Sequence, residues 1–183
     1  MPEPGRGDPV SPPILGGRRE AREQALLLLY EAEIRGLAPD AMADEVVVEP
    51  ETYTLEVLAG VTEHRERLDG LLTGRTGDWP LHRLAAMDRA VLNLAAWELI
   101  ERDDVPTAVV LNEAVELAKT YGTDDSGGFV NGVLVNLAKE VRPGTVVPQI
   151  VVPKPPAAPP ADAVLGDAEP LEADPERAPD ERG

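Results

Sequence analysis

The stretch from Pro106 to Leu134 constrains the fold more than any other part of this 183-residue chain. It carries two apolar patterns of helical period separated by one short break. Val110, Ala114, Leu117, Ala118 and Tyr121 recur at spacings of three and four, so they line one side of a helix that Pro106 opens. Asn112, Glu113, Glu116 and Lys119 fall on the other side, with Glu116 and Lys119 spaced to pair across one turn. Gly122 is placed to end this helix and Ser126 to cap the next. No segment of the chain has strand period. Amphipathic helices joined by short connections bury their apolar faces against each other, so the expected fold class is all-α.

The remaining helices follow from the same period. Residues 18–35 form the first, with Ala21, Ala25, Leu28 or Leu29, and Ala32 on one face, widened by Leu26, Leu27 and Tyr30. A short helix is expected near residues 40–47. Pro50 leads into a helix over residues 51–72, where Tyr53, Val57, Val61, His64, Leu68 and Leu72 fall on one stripe. Trp79 and Pro80 introduce a helical turn at residues 81–84. Residues 86–101 are apolar on two sides, through Met87, Val91, Leu94, Ala95, Leu99 and Ile100, which predicts a central helix packed between neighbours. The last helix is expected over residues 129–141. The body is thus a compact bundle of about seven helices over residues 18–142. Residues 1–17, rich in Pro and Gly, read as a disordered leader. Residues 143–183 hold ten prolines among acids and alanines and read as a disordered tail, with extended polyproline geometry at residues 154–160 and an apolar patch at residues 146–152.

Charge and composition exclude several functions. The chain has no cysteine, so disulfides and thiolate chemistry are absent, and two histidines leave little for a metal site. No cofactor is expected. No apolar run reaches membrane-spanning length and residues 1–17 lack a signal-peptide core, so a cytoplasmic protein is expected. The formal net charge is −17, and residues 18–145 alone carry thirteen basic and twenty-four acidic side chains. Such a body repels phosphate, so any RNA contact needs a local basic patch, a basic partner, or both.

Two places offer such chemistry. Arg18, Arg19 and Arg22 open the first helix, with Arg18 and Arg22 spaced to share a face. Guanidinium groups there can hold phosphates or stack on bases, or they simply solvate a helix that also carries Glu20 and Glu23. Ser126-Gly127-Gly128-Phe129 opens a helix whose backbone N–H groups can receive a phosphate and whose Phe129 can stack on a base. The alternative is an ordinary cap, an easy helix entry and a core phenylalanine. His64 reads as a packed, hydrogen-bonded histidine, and Trp79 and Trp97 as packing aromatics. No nucleophile–base pair or phosphate-cradling loop is present, so no enzyme is expected.

Several segments, taken in order, resemble the NusB family of transcription antitermination factors. They are Arg22-Glu-Gln-Ala-Leu-Leu-Leu-Leu-Tyr30, Gly60-Val-Thr-Glu-His64, Leu68-Asp69, Trp79, Met87-Asp-Arg-Ala-Val-Leu-Asn-Leu-Ala-Ala-Trp-Glu-Leu99, Val105-Pro106, Leu111-Asn-Glu-Ala-Val-Glu-Leu-Ala-Lys119 and Phe129-Val-Asn-Gly-Val-Leu134. The likeness implies a helical domain of two small subdomains without catalytic activity. It also implies pairing with NusE, a ribosomal small-subunit protein. The pair would bind boxA RNA of nascent ribosomal RNA transcripts and help the RNA polymerase antitermination complex read through terminators. Carried over by position, Arg18, Arg19, Arg22, Phe129 and Asn131 match RNA-contacting positions. Tyr30, Asp88 and Asp125 match positions near the partner surface. Glu20 interrupts the basic run, and Gly127-Gly128 stand where many relatives carry a basic residue. The competing expectation is a protein–protein scaffold, or a homodimer, with little RNA contact of its own. A fused RNA methyltransferase is a third class, disfavoured because no glycine-rich cofactor domain follows Pro143.

Overall fold

The computed structural model describes residues 15–47, 49–77 and 79–147. These form six α-helices and two 3-10 turns, with no strand among the described residues: α1 Leu15–Arg35, a turn at Pro39–Asp44, α2 Thr52–Glu63, α3 Arg65–Leu72, a turn at Leu81–Arg83, α4 Ala86–Glu101, α5 Thr107–Tyr121 and α6 Ser126–Val141. The all-α expectation holds. The first fourteen residues of the expected leader and the expected tail from residue 148 onward lie outside the described residues, including the polyproline stretch and most of the apolar patch.

Two groups of helices share one core. Helices α1 and α2 pack with the turn at Pro39–Asp44, while α5 and α6 pack together, and α4 touches both groups. The central position expected of α4 explains its unbroken buried run from Leu94 to Leu99, since a helix apolar on two sides must be covered on both. Helices α1 and α4 run antiparallel: Arg22 of α1 pairs with Glu98 near the end of α4, and Glu33 of α1 with Arg89 near its start. Gly60 makes the approach of α2 to α4 feasible. A Cβ there would lie 2.0 Å from Trp97 Nε1. At the far end of α1, Gly36 takes a positive φ of 65° and Leu37 N–H returns to Ala32 O at 2.9 Å, satisfying a carbonyl the helix leaves open.

The end of α4 is closed by a side chain from α6's far end. The Arg142 guanidinium donates to the carbonyl oxygens of Glu98, Leu99, Arg102 and Val105 at 2.7–2.8 Å. Leu99 lies in the last turn of α4, where carbonyls lack an intrahelical donor, and the same cation also serves the loop carbonyls of Arg102 and Val105 that follow.

Four details depart from the sequence reading. Helix α1 starts three residues early, at Leu15. The helix expected over residues 51–72 breaks at His64, whose Nδ1 donates to Gly60 O at 2.9 Å and whose backbone N–H donates to the same oxygen at 3.0 Å. Helix α6 starts at Ser126 rather than Phe129, and Ser126 does not cap it: the Ser126 hydroxyl accepts the Thr123 N–H at 2.9 Å. Gly122 ends α5 as expected, through space rather than a left-handed φ, because a Cβ would fall 2.5 Å from Ser126 Oγ. Finally, Trp97 is buried, but Trp79 is 63 % exposed and is not a packing aromatic.

Candidate nucleic-acid and partner interface

The three N-terminal arginines separate by burial. Arg18 and Arg19 are exposed, and Arg22 is only 3 % exposed. The expectation of an RNA-facing Arg22 is therefore corrected: it lies on the inner face of α1 with Ala25, Leu26 and Leu29. Its Nε donates to Glu98 Oε1 at 2.8 Å, and the Tyr53 hydroxyl donates to the same oxygen. Burial pushes the Glu98 carboxyl above the usual carboxylate range, while the Arg22 guanidinium and the Tyr53 hydroxyl pull it back. The second oxygen, Oε2, is buried with no hydrogen-bond partner among the described residues. Desolvation and the adjacent Glu98 raise the Tyr53 phenol likewise.

A different arginine reaches the surface beside Arg18. Arg102, just past the end of α4, contacts Asp104 through Nε at 2.9 Å and also pairs with Glu56. Arg18 Nη2 contacts the other oxygen of the same Asp104 at 2.9 Å. The Arg102, Arg18 and Arg22 guanidinium carbons stand 5.0, 5.4 and 5.6 Å from the Tyr53 ring centre, so one phenol ring carries three cations. Sequence reasoning missed Arg102 and Tyr53 here. No local pattern marks Arg102-Asp103-Asp104, and only the fold brings it to the start of α1.

Phe129 lies elsewhere. It is partly buried and lines an open groove with Trp79, Arg83, Leu84, Asp88 and Asp125. The antiparallel pairing of α1 with α4 puts Tyr30, also partly buried, toward this same end of the molecule. The structure thus gathers Asp88, Asp125 and Phe129 in one groove. Arg18 and Arg19 sit about 18 Å from Tyr30 along α1, at 1.5 Å per residue. Asn131, two residues beyond Phe129, projects from nearly the opposite side of α6 and is partly buried.

Among the described residues most arginines are ion-paired, while Arg65, Arg83 and Lys139 have no carboxylate partner. Arg35, Arg67, Arg75 and Arg89 each pair with a carboxylate, and Arg19 lies 3.9 Å from Glu113. The groove beside Phe129 combines two carboxylates and the exposed Arg83 guanidinium with an exposed indole and apolar walls. That arrangement suits a basic, partly apolar partner surface better than phosphates. Among the described residues there is no group of three or more acidic or histidine ligands suited to a metal, and no helix long and apolar enough to cross a membrane.

The family model described as the NusB family matches residues 19–139. Among solved structures, NusB from T. maritima is 35 % identical with a TM-score of 0.63, over 67 % of this chain and 91 % of that one. NusB in a structure of antitermination factors NusB and NusE in complex with dsRNA is 28 % identical with a TM-score of 0.60, over 69 % of this chain and 99 % of that one. The solution structure of NusB from Aquifex aeolicus gives 29 % identity and a TM-score of 0.58, over 73 % and 96 %. With the matched region running from the arginines of α1 to the last turns of α6, this chain belongs to the NusB family.

Proposed function

We propose that this chain is a non-catalytic cytoplasmic adaptor of transcription antitermination. It binds boxA RNA of nascent ribosomal RNA transcripts jointly with NusE and promotes read-through by RNA polymerase. The observation that carries this reading is the match to a NusB seen with NusE and dsRNA, which spans nearly all of that relative. In this reading Arg18 and Arg19 meet the RNA backbone at one end of α1. Phe129 meets a base near the other, Asn131 meets one from the opposite side of α6, and Tyr30, Asp88 and Asp125 face NusE. Arg22 holds the core instead of the RNA. The acidic groove attracts the partner, and the partner supplies the positive charge that this chain's ion-paired arginines do not.

The test mixes the full chain with purified NusE and a boxA RNA, then with the same RNA scrambled. Co-elution of all three components with boxA alone is the expected result. A second reading, a scaffold or homodimer that engages little RNA, is favoured by the pairing of most arginines with carboxylates. It predicts a protein complex that leaves both RNAs free.

A further inference from the structure

We infer that Asp104 occupies the phosphate seat of an arginine clamp formed by Arg18 and Arg102, and so competes with RNA backbone for that seat. The inference rests on the RNA-binding reading above. Two observations and one chemical likeness support it. Arg18 lies in α1 and Arg102 just past the end of α4, yet both hold one carboxylate: Arg102 contacts Asp104 Oδ1 through Nε at 2.9 Å and Oδ2 through Nη2 at 3.2 Å, and Arg18 Nη2 contacts Oδ2 at 2.9 Å. A carboxylate held this way presents the paired-oxygen geometry that a phosphodiester also presents to guanidinium groups. The Tyr53 ring contacts both cations, at 5.4 and 5.0 Å from its centre, which helps to fix them in place for whichever anion lies between them.

The seat is also open to exchange. The Asp104 and Arg18 side chains are both about half exposed, at 49 % and 47 %, so an incoming phosphate can reach the pair without unfolding. Arg102 is anchored more deeply, and Arg142 donates to its carbonyl oxygen at 2.8 Å, tying the loop to the end of α6. The Arg102 and Arg18 guanidinium groups hold the Asp104 carboxyl down, at about 2, so the resident anion stays charged throughout the neutral range. RNA must therefore displace a permanent internal competitor. Weak RNA binding by the isolated chain follows from this contact as well as from its net charge.

The test uses the full chain with a labelled boxA RNA, with and without NusE. Asp104→Asn should tighten binding about three- to fivefold, the scale of one surface ion pair that no longer has to be broken. Its log affinity should fall more steeply with log salt, by about 0.7. Asp103→Asn removes the same charge from the neighbouring residue, which is exposed and has no ion pair among the described residues, and should change little. Arg102→Gln should weaken binding, and in that background Asp104→Asn should gain less. Equal gains from Asp103→Asn and Asp104→Asn would overturn the clamp, as would a full Asp104→Asn gain without Arg102. If Arg102→Gln does not fold, the comparison of the two aspartates still decides. If wild type binds and Phe129→Ala weakens it while Asp104→Asn has no effect, the clamp alone fails. If wild type with NusE binds no boxA RNA, the RNA-binding reading itself fails.

Discussion

Replacing Arg22 with methionine separates a core arginine from an RNA contact. The Glu98 carboxyl would keep the Tyr53 hydroxyl but lose the cation 2.8 Å away, at a site where its own side chain is 1 % exposed. Stranding one member of a buried ion pair costs about 3–5 kcal/mol. For a folded body of this size the thermal midpoint should fall by roughly 10–20 °C. The double variant Arg22→Met with Glu98→Leu removes the stranded charge too. It should recover most of the loss, leaving about 1 kcal/mol for the unpaired Tyr53 hydroxyl. The pH dependence has a definite sign. Burial already raises the Glu98 carboxyl, and without Arg22 it is raised further. The native state then keeps a proton that the unfolded chain has released. Stability is therefore lost as pH rises through the range between the ordinary carboxylate value and the raised native value. The deficit of Arg22→Met against wild type should shrink as pH is lowered from neutrality toward the ordinary carboxylate range, as read by thermal melts followed by circular dichroism. A variant that melts like wild type yet binds boxA RNA several-fold more weakly would put Arg22 on the RNA and refute the burial argument.

Other perturbations probe separate parts of the molecule. Gly60→Ala would drive a Cβ into the Trp97 indole and should cost about 1–3 kcal/mol or more in urea unfolding, since overpacking forces α2 away from α4; wild-type stability would show that this contact relaxes freely. Asp88→Lys should weaken the NusE complex by about 1–3 kcal/mol in calorimetry with helicity unchanged, and unchanged affinity would remove Asp88 from the partner surface. Phe129→Ala should lower boxA affinity by about 1–3 kcal/mol at nearly constant salt slope, as lost stacking does. A change in NusE binding alone would instead assign Phe129 to the groove it shares with Asp88 and Asp125.

Period and punctuation made most helices legible, because burial of one face repeats every three or four residues whatever the tertiary setting. The break at His64 was not legible. Tyr53, Val57, Val61, Leu68 and Leu72 are all buried on either side of it, so the spacing of the stripe carries no mark of the interruption. Arg22 was misread by residue type: it stands four before Leu26 and seven before Leu29, the spacing of the inner face. Its partner Glu98 lies 76 residues away, and no local pattern connects the two. Trp79 was misread in the opposite sense, since an indole in a loop bounded by Gly77 and Pro80 has no periodic neighbours to fix its side. The segments resembling the family reached the groove residues Asp88 and Asp125 because each lies within a quoted or adjoining segment. They did not reach Arg102 and Asp104, whose pairing with Arg18 depends on the start of α1 lying beside the end of α4.

The salt dependence of boxA binding, measured for the chain alone and with NusE, tests the central claim most directly. Most arginines here are held by carboxylates, including Arg18, Arg19 and Arg102, the three that stand near the start of α1 to meet a strand. The chain alone should bind weakly, with a slope of log affinity against log salt no steeper than about −2, at about −0.7 for each phosphate neutralised on single-stranded RNA. With NusE the affinity should rise and the slope should steepen, as the partner's basic groups join the interface. A steep slope and tight binding without NusE, or no change on adding it, would contradict an acidic adaptor that reads RNA only together with a basic partner.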